Sequence, residues 1–109
     1  MKKTLKIDQR AQKEIGRLPK TAILRLYALF EILEKEGKLE PPYAKKLVGT
    51  SDLFELRIIT SGQYRSIYAY LDNDNIIILT AFEKKTNKTP LKHLQTAKKR
   101  KKQYENINK

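Results

Sequence analysis

Apolar and polar residues alternate over Thr4-Leu5-Lys6-Ile7, and a period of two predicts a short first strand. Asp8 is placed to cap a following helix, in which Ala11, Ile15 and Leu18 recur at helical spacing. Pro19 interrupts that helix, because proline is poorly tolerated inside a helix but suits the start of the next one. From Lys20 to Glu36 the helical period is strong, with Ile23, Tyr27, Phe30 and Leu33 on one face and Leu26 and Leu29 widening it. Gly37 is a natural stop. The two helices form a hairpin whose apolar side needs a sheet to cover.

The period then returns to two. Residues 38–52 read as a connector, since Pro41-Pro42 excludes regular helix or a central strand there. Leu53–Ile59, Tyr64–Leu71 and Ile76–Phe82 read as strands, separated by Thr60-Ser61-Gly62-Gln63 and Asp72-Asn73-Asp74-Asn75, both short enough for hairpins. Ile76-Ile77-Ile78-Leu79 is apolar on both faces and should be the most buried strand. After Pro90 a last helix carries Leu91, Leu94, Ala97 and Tyr104 on one side, and residues 105–109 are expected to fray. The expected order is β-α-α-β-β-β-α, an α+β domain with an N-terminal helical hairpin on a twisted antiparallel sheet and a basic C-terminal helix. A chain of 109 residues is expected to form one domain over 1–109, since two cores would each be too small.

Charge changes this picture. Of a formal net charge of +12, a local balance of +9 falls between Lys84 and Lys109. A field concentrated in one quarter of the chain attracts a polyanion, either nucleic acid or an acidic protein. Lys98-Lys99-Arg100-Lys101-Lys102 reads as a solvated helix face or, because five adjacent cations repel, as a contact for an anionic ligand. No apolar run approaches the roughly 18 residues of a membrane span, and Met1-Lys2-Lys3 is not followed by a signal-peptide core, so the expected location is the cytoplasm.

Much chemistry is set aside by composition. With no Cys and one His (His93), thiolate and His-rich metal sites are excluded, and four Gly cannot build a phosphate-cradling loop. Neither metal nor cofactor is implied. What remains is basic and aromatic. Arg57 shares a strand face with Glu55, opposite Phe54, Leu56 and Ile58; Arg65 starts the next strand; Lys84-Lys85 closes the third. Parity leaves open which of Lys84 and Lys85 joins them. Tyr64, Tyr68 and Tyr70 share a strand face and could stack bases or serve as core.

Read in order, Leu53-Phe54-Glu55-Leu56-Arg57, Tyr64-Arg65-Ser66-Ile67-Tyr68 and Ala81-Phe82-Glu83-Lys84-Lys85-Thr86-Asn87-Lys88-Thr89-Pro90 resemble the signature of HigB-like, phage-derived type II toxins of the RelE/ParE superfamily. Ala97-Lys98-Lys99-Arg100 and Tyr104 also fit. Many relatives carry His-Gly before the Phe of the third segment, where this chain has Thr80-Ala81. The resemblance implies a ribosome-dependent mRNA endoribonuclease, neutralised by a helix-turn-helix, HigA-like antitoxin that alone contacts operator DNA. It also implies that Arg57, Arg65 and one of Lys84 and Lys85 act on the scissile phosphate; the base the reaction needs would be Lys84, Lys85 or Tyr104, with its pKa depressed by neighbouring cations or the ribosome. Lys45, Lys46, Lys88, Lys98, Lys99, Arg100, Lys101 and Lys102 are then expected to contact RNA or the ribosome. Two alternatives share the fold: a ParE-like gyrase inhibitor, and a non-catalytic toxin that only binds nucleic acid and its antitoxin.

Overall fold

The computed structural model describes residues 1–50 and 52–107. Its elements are β1 (Thr4–Ile7), α1 (Gln9–Gly16), α2 (Lys20–Glu36), β2 (Ala44–Lys46), β3 (Leu53–Ile59), β4 (Gln63–Tyr70), β5 (Asn75–Glu83) and α3 (Leu91–Ile107). The strands form one sheet in the order β1-β5-β4-β3-β2. The meander β3–β4–β5 is antiparallel as expected, but β1 lies parallel to β5, so the sheet is mixed.

Local chemistry explains most boundaries. Asp8 caps α1 through its carboxylate, which accepts from the Arg10 and Ala11 amides. Pro19 sits at the N-cap of α2, one position earlier than the first helical turn. Gly37 ends α2 in the left-handed region at φ 81°, and a Cβ there would collide with the carbonyl oxygen of Met1.

The helical hairpin covers one sheet face. Ile15, Leu26, Phe30 and Leu33 pack against Leu56, Ile58, Tyr64, Tyr68, Ile76 and Ile78. The buried positions of α2 are Ala22, Leu26, Phe30 and Leu33, so its apolar face is turned from the expected one and Tyr27 lies at the exposed edge. The tyrosine stripe is core: Phe54 stacks on Tyr68, Tyr70 meets both edge-on, and no face is left for bases. On the other sheet face α3 lays Ala97 over Ile67, Leu79 and Phe82.

Three further expectations change. The connector contains β2, which pairs antiparallel with β3 from Ala44 opposite Leu56 to Lys46 opposite Phe54. Three residues beside a Pro-Pro step, with Ala44 alone buried, give no periodic signal. In α3, Leu91 is 67% exposed while Arg100 and Lys101 turn inward. The helix runs through Ile107 rather than fraying from 105, and residues 108–109 lie outside the described residues. Among the described residues no helix is long and apolar enough to cross a membrane.

Candidate active site

The face of the sheet away from the helical hairpin gathers the basic residues of the meander. Antiparallel register sets Arg57 of β3 directly opposite Arg65 of β4, and Lys45 of β2 opposite Glu55 of β3. Like charges across a ladder repel. Glu55 relieves this pair: it is fully buried, and the Nε atoms of Arg57 and Arg65 each stand 3.5 Å from the same oxygen, Oε1. The other oxygen, Oε2, accepts the Thr89 hydroxyl.

The two arginines are held differently. Arg65 is only 5% exposed, and its terminal nitrogens donate to the Tyr64 carbonyl and the Gln63 side chain, both at 3.0 Å. Its Nε is buried without a hydrogen bond, at a distance from Glu55 that serves charge better than donation. Burial lowers the Arg65 pKa, Glu55 opposes that, and Arg57 adds to it. Arg57 is partly exposed, and beyond its contact with Glu55 its terminal nitrogens have no partner among the described residues.

Of the two candidate lysines, Lys84 belongs to this cluster. Burial depresses its pKa; Glu55 pushes the other way, and Arg65, Arg57 and Lys45 depress it further. Its amide donates to the Gln63 carbonyl at 2.8 Å, which anchors it beside the start of β4. Lys85 and Lys88 are exposed on the segment between β5 and α3, where the Thr86 hydroxyl donates to the Lys88 carbonyl at 2.6 Å. Arg57 and Arg65 thus share one carboxylate, Glu55, and Lys45 (its register partner) and Lys84 add positive charge to the same region. The surplus of positive charge and the partly free Arg57 fork suit a phosphate.

Other residues singled out in the sequence stand elsewhere. Lys46 faces the opposite side of β2, with Phe54 as its register partner, and pairs with Asp52 at 3.2 Å. Lys98, Lys99 and Lys102 are exposed on α3. Arg100 is buried as a fork on Glu14 of α1, at 3.0 and 2.9 Å, and donates to the Leu79 carbonyl at 2.7 Å. Lys101 is turned inward as well and pairs with Glu105 at 3.8 Å. Arg100 thus fastens α3 to α1 and β5, while Lys101 pairs within its own helix; both side chains are buried. Tyr104 donates to Asp8 Oδ2 at 2.8 Å, inside a second cluster with Arg10 and Gln103. Asp8 abuts Ile78 whereas Arg65 is in register with Phe82, and four residues of strand span roughly 13 Å. Burial and Asp8 both raise the Tyr104 pKa, the wrong direction for a base.

Thr80, at the position of the relatives' His, lies at an irregularity where β4 and β5 slip register and Leu79 is the extra residue. Its hydroxyl oxygen accepts the Ile67 amide at 3.2 Å, and its carbonyl accepts the Ser66 hydroxyl at 2.8 Å. The side chain is buried and occupied with the bulge. Sequence reasoning took Glu55 only as a partner for Arg57 and passed over Thr89. The available signal was a carboxylate between Phe54 and Leu56 in a strand with one face already assigned to the core.

Together, the mixed sheet, the helical hairpin on one face and the cation cluster on the other define a RelE-type toxin fold. The free form of an Escherichia coli RelE toxin mutant superposes with a TM-score of 0.72 at 23% identity, covering 92% of this chain and 98% of that one. The archaeal RelE–RelB complex from Pyrococcus horikoshii matches at 32% identity and a TM-score of 0.58, covering 76% and 96%. The intact E. coli RelBE toxin–antitoxin complex matches at 28% identity and 0.58, covering 75% and 96%. The family model described as "Phage derived protein Gp49-like (DUF891)" matches residues 13–102, and the chain belongs to that family, within the RelE toxin superfamily. No curated protein matches the sequence.

Proposed function

We propose that the protein is the toxin of a type II toxin–antitoxin pair and acts as a metal-independent, ribosome-dependent mRNA endoribonuclease. The observation that carries this reading is the Arg57–Arg65 pair, set opposite one another across β3 and β4 and sharing one buried carboxylate, in the positive field that Lys84 joins. RNA cleavage of this kind forms a bond from the 2′-oxygen to phosphorus and breaks the bond from phosphorus to the 5′-oxygen. The products are a cyclic phosphate and a 5′-hydroxyl.

Negative charge grows on the non-bridging oxygens, where a preorganised guanidinium is worth on the order of 3 kcal/mol. Arg57 has the free donors for that contact, and Arg65 supplies buried positive charge behind it. Lys84 in its neutral form takes the 2′-hydroxyl proton, and the 5′-oxygen receives one from water. The depressed Lys84 pKa favours the neutral amine, yet the base starts far from neutrality. A weak base suits an enzyme that needs the ribosome to position its substrate. Exposed Lys98, Lys99 and Lys102, with Lys85, Lys88 and Lys46, are assigned to ribosomal RNA. The expected neutraliser is a helix-turn-helix, HigA-like antitoxin, through which alone the pair would contact operator DNA.

The test is to express the protein in a translating extract and map the 5′ ends of a reporter mRNA, with and without active ribosomes. In-frame cuts that require ribosomes, and that fall about 100-fold in Arg57→Ala, are expected. Growth arrest in cells with no cuts would overturn the assignment in favour of a gyrase inhibitor.

A further inference from the structure

Beside the arginine pair, the sheet edge opens into a cleft of about 390 Å³ between α2, the 38–43 connector and the end of β3. Its lining is unusual in combining flat apolar surface with guanidinium groups. Leu29, Pro42 and Ile58 supply its apolar lining, and Arg25, Arg57 and Arg65 line the same space. Backbone geometry fixes this juxtaposition, because the Arg57 amide donates to the Tyr43 carbonyl at 2.8 Å and thereby ties the connector to β3. Among the described residues the Arg25 side chain has neither hydrogen bond nor ion pair, and Tyr43, which also lines the cleft, is exposed.

We infer that this cleft binds a nucleobase adjoining the phosphate held by the arginine pair, and that Arg25 makes it select guanine over uracil. The inference rests on the reading of Arg57 and Arg65 as a phosphate site. Because Arg57 and Arg65 line this edge cleft as well as the cation cluster, a phosphate they hold leaves its attached nucleoside within reach of the apolar lining, and a cleft of this volume is of ligand size. Leu29, Pro42 and Ile58 give a base apolar surface to lie on, and exposed Tyr43 adds an aromatic ring to the lining. Specificity follows from the donors available. Arg25 has only N–H groups to offer, and guanine presents two adjacent acceptors, O6 and N7, to a guanidinium fork, as an unpaired cytosine does with N3 and O2. In uracil an N–H donor separates the two carbonyl oxygens, and in adenine the amino group stands beside N1 and N7, so neither offers the fork two adjacent acceptors. Arg25 is therefore a specificity residue, separate from the groups that act on the phosphate.

The experiment titrates the free protein with guanosine 3′-monophosphate, uridine 3′-monophosphate and inorganic phosphate while following the methyl resonances of Leu29, Ile58 and Ile59. The guanosine nucleotide should shift these methyls and bind about tenfold more tightly than the uridine nucleotide. Arg25→Gln should bring the two nucleotides together while leaving inorganic phosphate affinity as it was. Leu29→Trp, which fills the cleft without altering an arginine, should do the same. Equal affinity for both nucleotides, or shifts confined to other methyls, overturns the inference. So does a shift of these methyls by an acidic, leucine-rich peptide with none from either nucleotide, which would give the cleft to a protein partner. Binding is read without any cleavage, so a protein that cuts mRNA yet ignores guanosine here refutes the cleft alone. A protein that selects guanosine here but cuts nothing refutes the nuclease reading alone.

Discussion

The hydroxyl of Thr89 donates to the carboxylate of Glu55, tying the segment that follows β5 to the middle of β3. Glu55 is fully buried and its other oxygen faces both arginines, so this one carboxylate fixes the loop and the cation pair together. Thr89→Val should leave Oε2 without its donor and cost about 1–2 kcal/mol, with Thr89→Ser close to wild type. Glu55→Gln removes the charge that separates Arg57 from Arg65 and should cost more, about 3–5 kcal/mol. Added sulfate should then raise the melting temperature of Glu55→Gln well above its effect on wild type, because an anion can replace the lost charge. Urea unfolding gives the free energies, and a sulfate response equal in both proteins would count against an anion site at the arginine pair.

The five consecutive cations of α3 should divide into two groups by effect. Arg100→Ala removes a buried fork from Glu14 and from the Leu79 carbonyl, and is expected to cost about 3 kcal/mol. Alanine at Lys98, Lys99 or Lys102 should move stability by no more than about 0.5 kcal/mol. Each of these three should instead reduce the salt dependence of ribosome or RNA binding, by a slope of about 0.7–0.9 for each phosphate no longer neutralised. Denaturation and binding at several salt concentrations check both halves. A stability loss at Lys98 as large as at Arg100 would mean the helix is seated differently.

Acid should unfold the protein partly through Asp8. Its carboxylate is buried, which by itself raises the pKa, but donors from Arg10, Tyr104 and the backbone amides of Ala11 and Arg10 outweigh burial. The net result is a fall from 3.8 to about 2. A carboxylate depressed on folding contributes stability that is complete above its unfolded pKa and is lost as pH drops through the folded one. The expected window is therefore pH 4 to 2, worth about 2 kcal/mol. Tyr104→Phe removes one donor, raises the Asp8 pKa and moves the acid transition to higher pH. Circular dichroism against pH measures it; an unchanged acid limb in Tyr104→Phe would remove Tyr104 from this account.

What the sequence revealed and what it withheld follow from distance along the chain. The strands of the meander and the helical hairpin were legible because their periodicity is local, and the Thr60–Gln63 turn brings Arg57 and Arg65 onto neighbouring strands. The parallel pairing of β1 with β5 joins residues about seventy positions apart, and no local pattern encodes it. The Asp8–Tyr104 contact spans 96 residues and was equally hidden, so the sequence offered Tyr104 as a base without showing the hydrogen bond that ties it to Asp8. Arg100 is a different case. Ala97, Arg100, Lys101 and Tyr104 fall at helical spacing on one face, and that spacing was visible, but a run of five cations suggested solvent. Burial of a charge required knowing that Glu14 waits on α1. Lys84 and Lys85 could not be separated because strand parity ends where β5 does, at Glu83.

Lys84 should set the pH dependence of cleavage. Its pKa is lowered by burial and by Arg65, Arg57 and Lys45, against the opposing pull of Glu55. A lysine that acts as a base is active only when neutral, so cleavage under conditions limited by chemistry should rise with pH, about tenfold per unit below that pKa. The limb should level off at a lower pH than an ordinary lysine allows. Lys84→Arg keeps the positive charge but cannot yield a neutral base near neutrality, and should abolish the rising limb along with most of the rate. Lys85→Arg, on the exposed side of the segment, should retain the profile. Single-turnover cleavage on programmed ribosomes between pH 6 and 9 is the measurement. A rising limb that survives Lys84→Arg would assign the proton to another group, leaving Lys84 as one more cation on the phosphate.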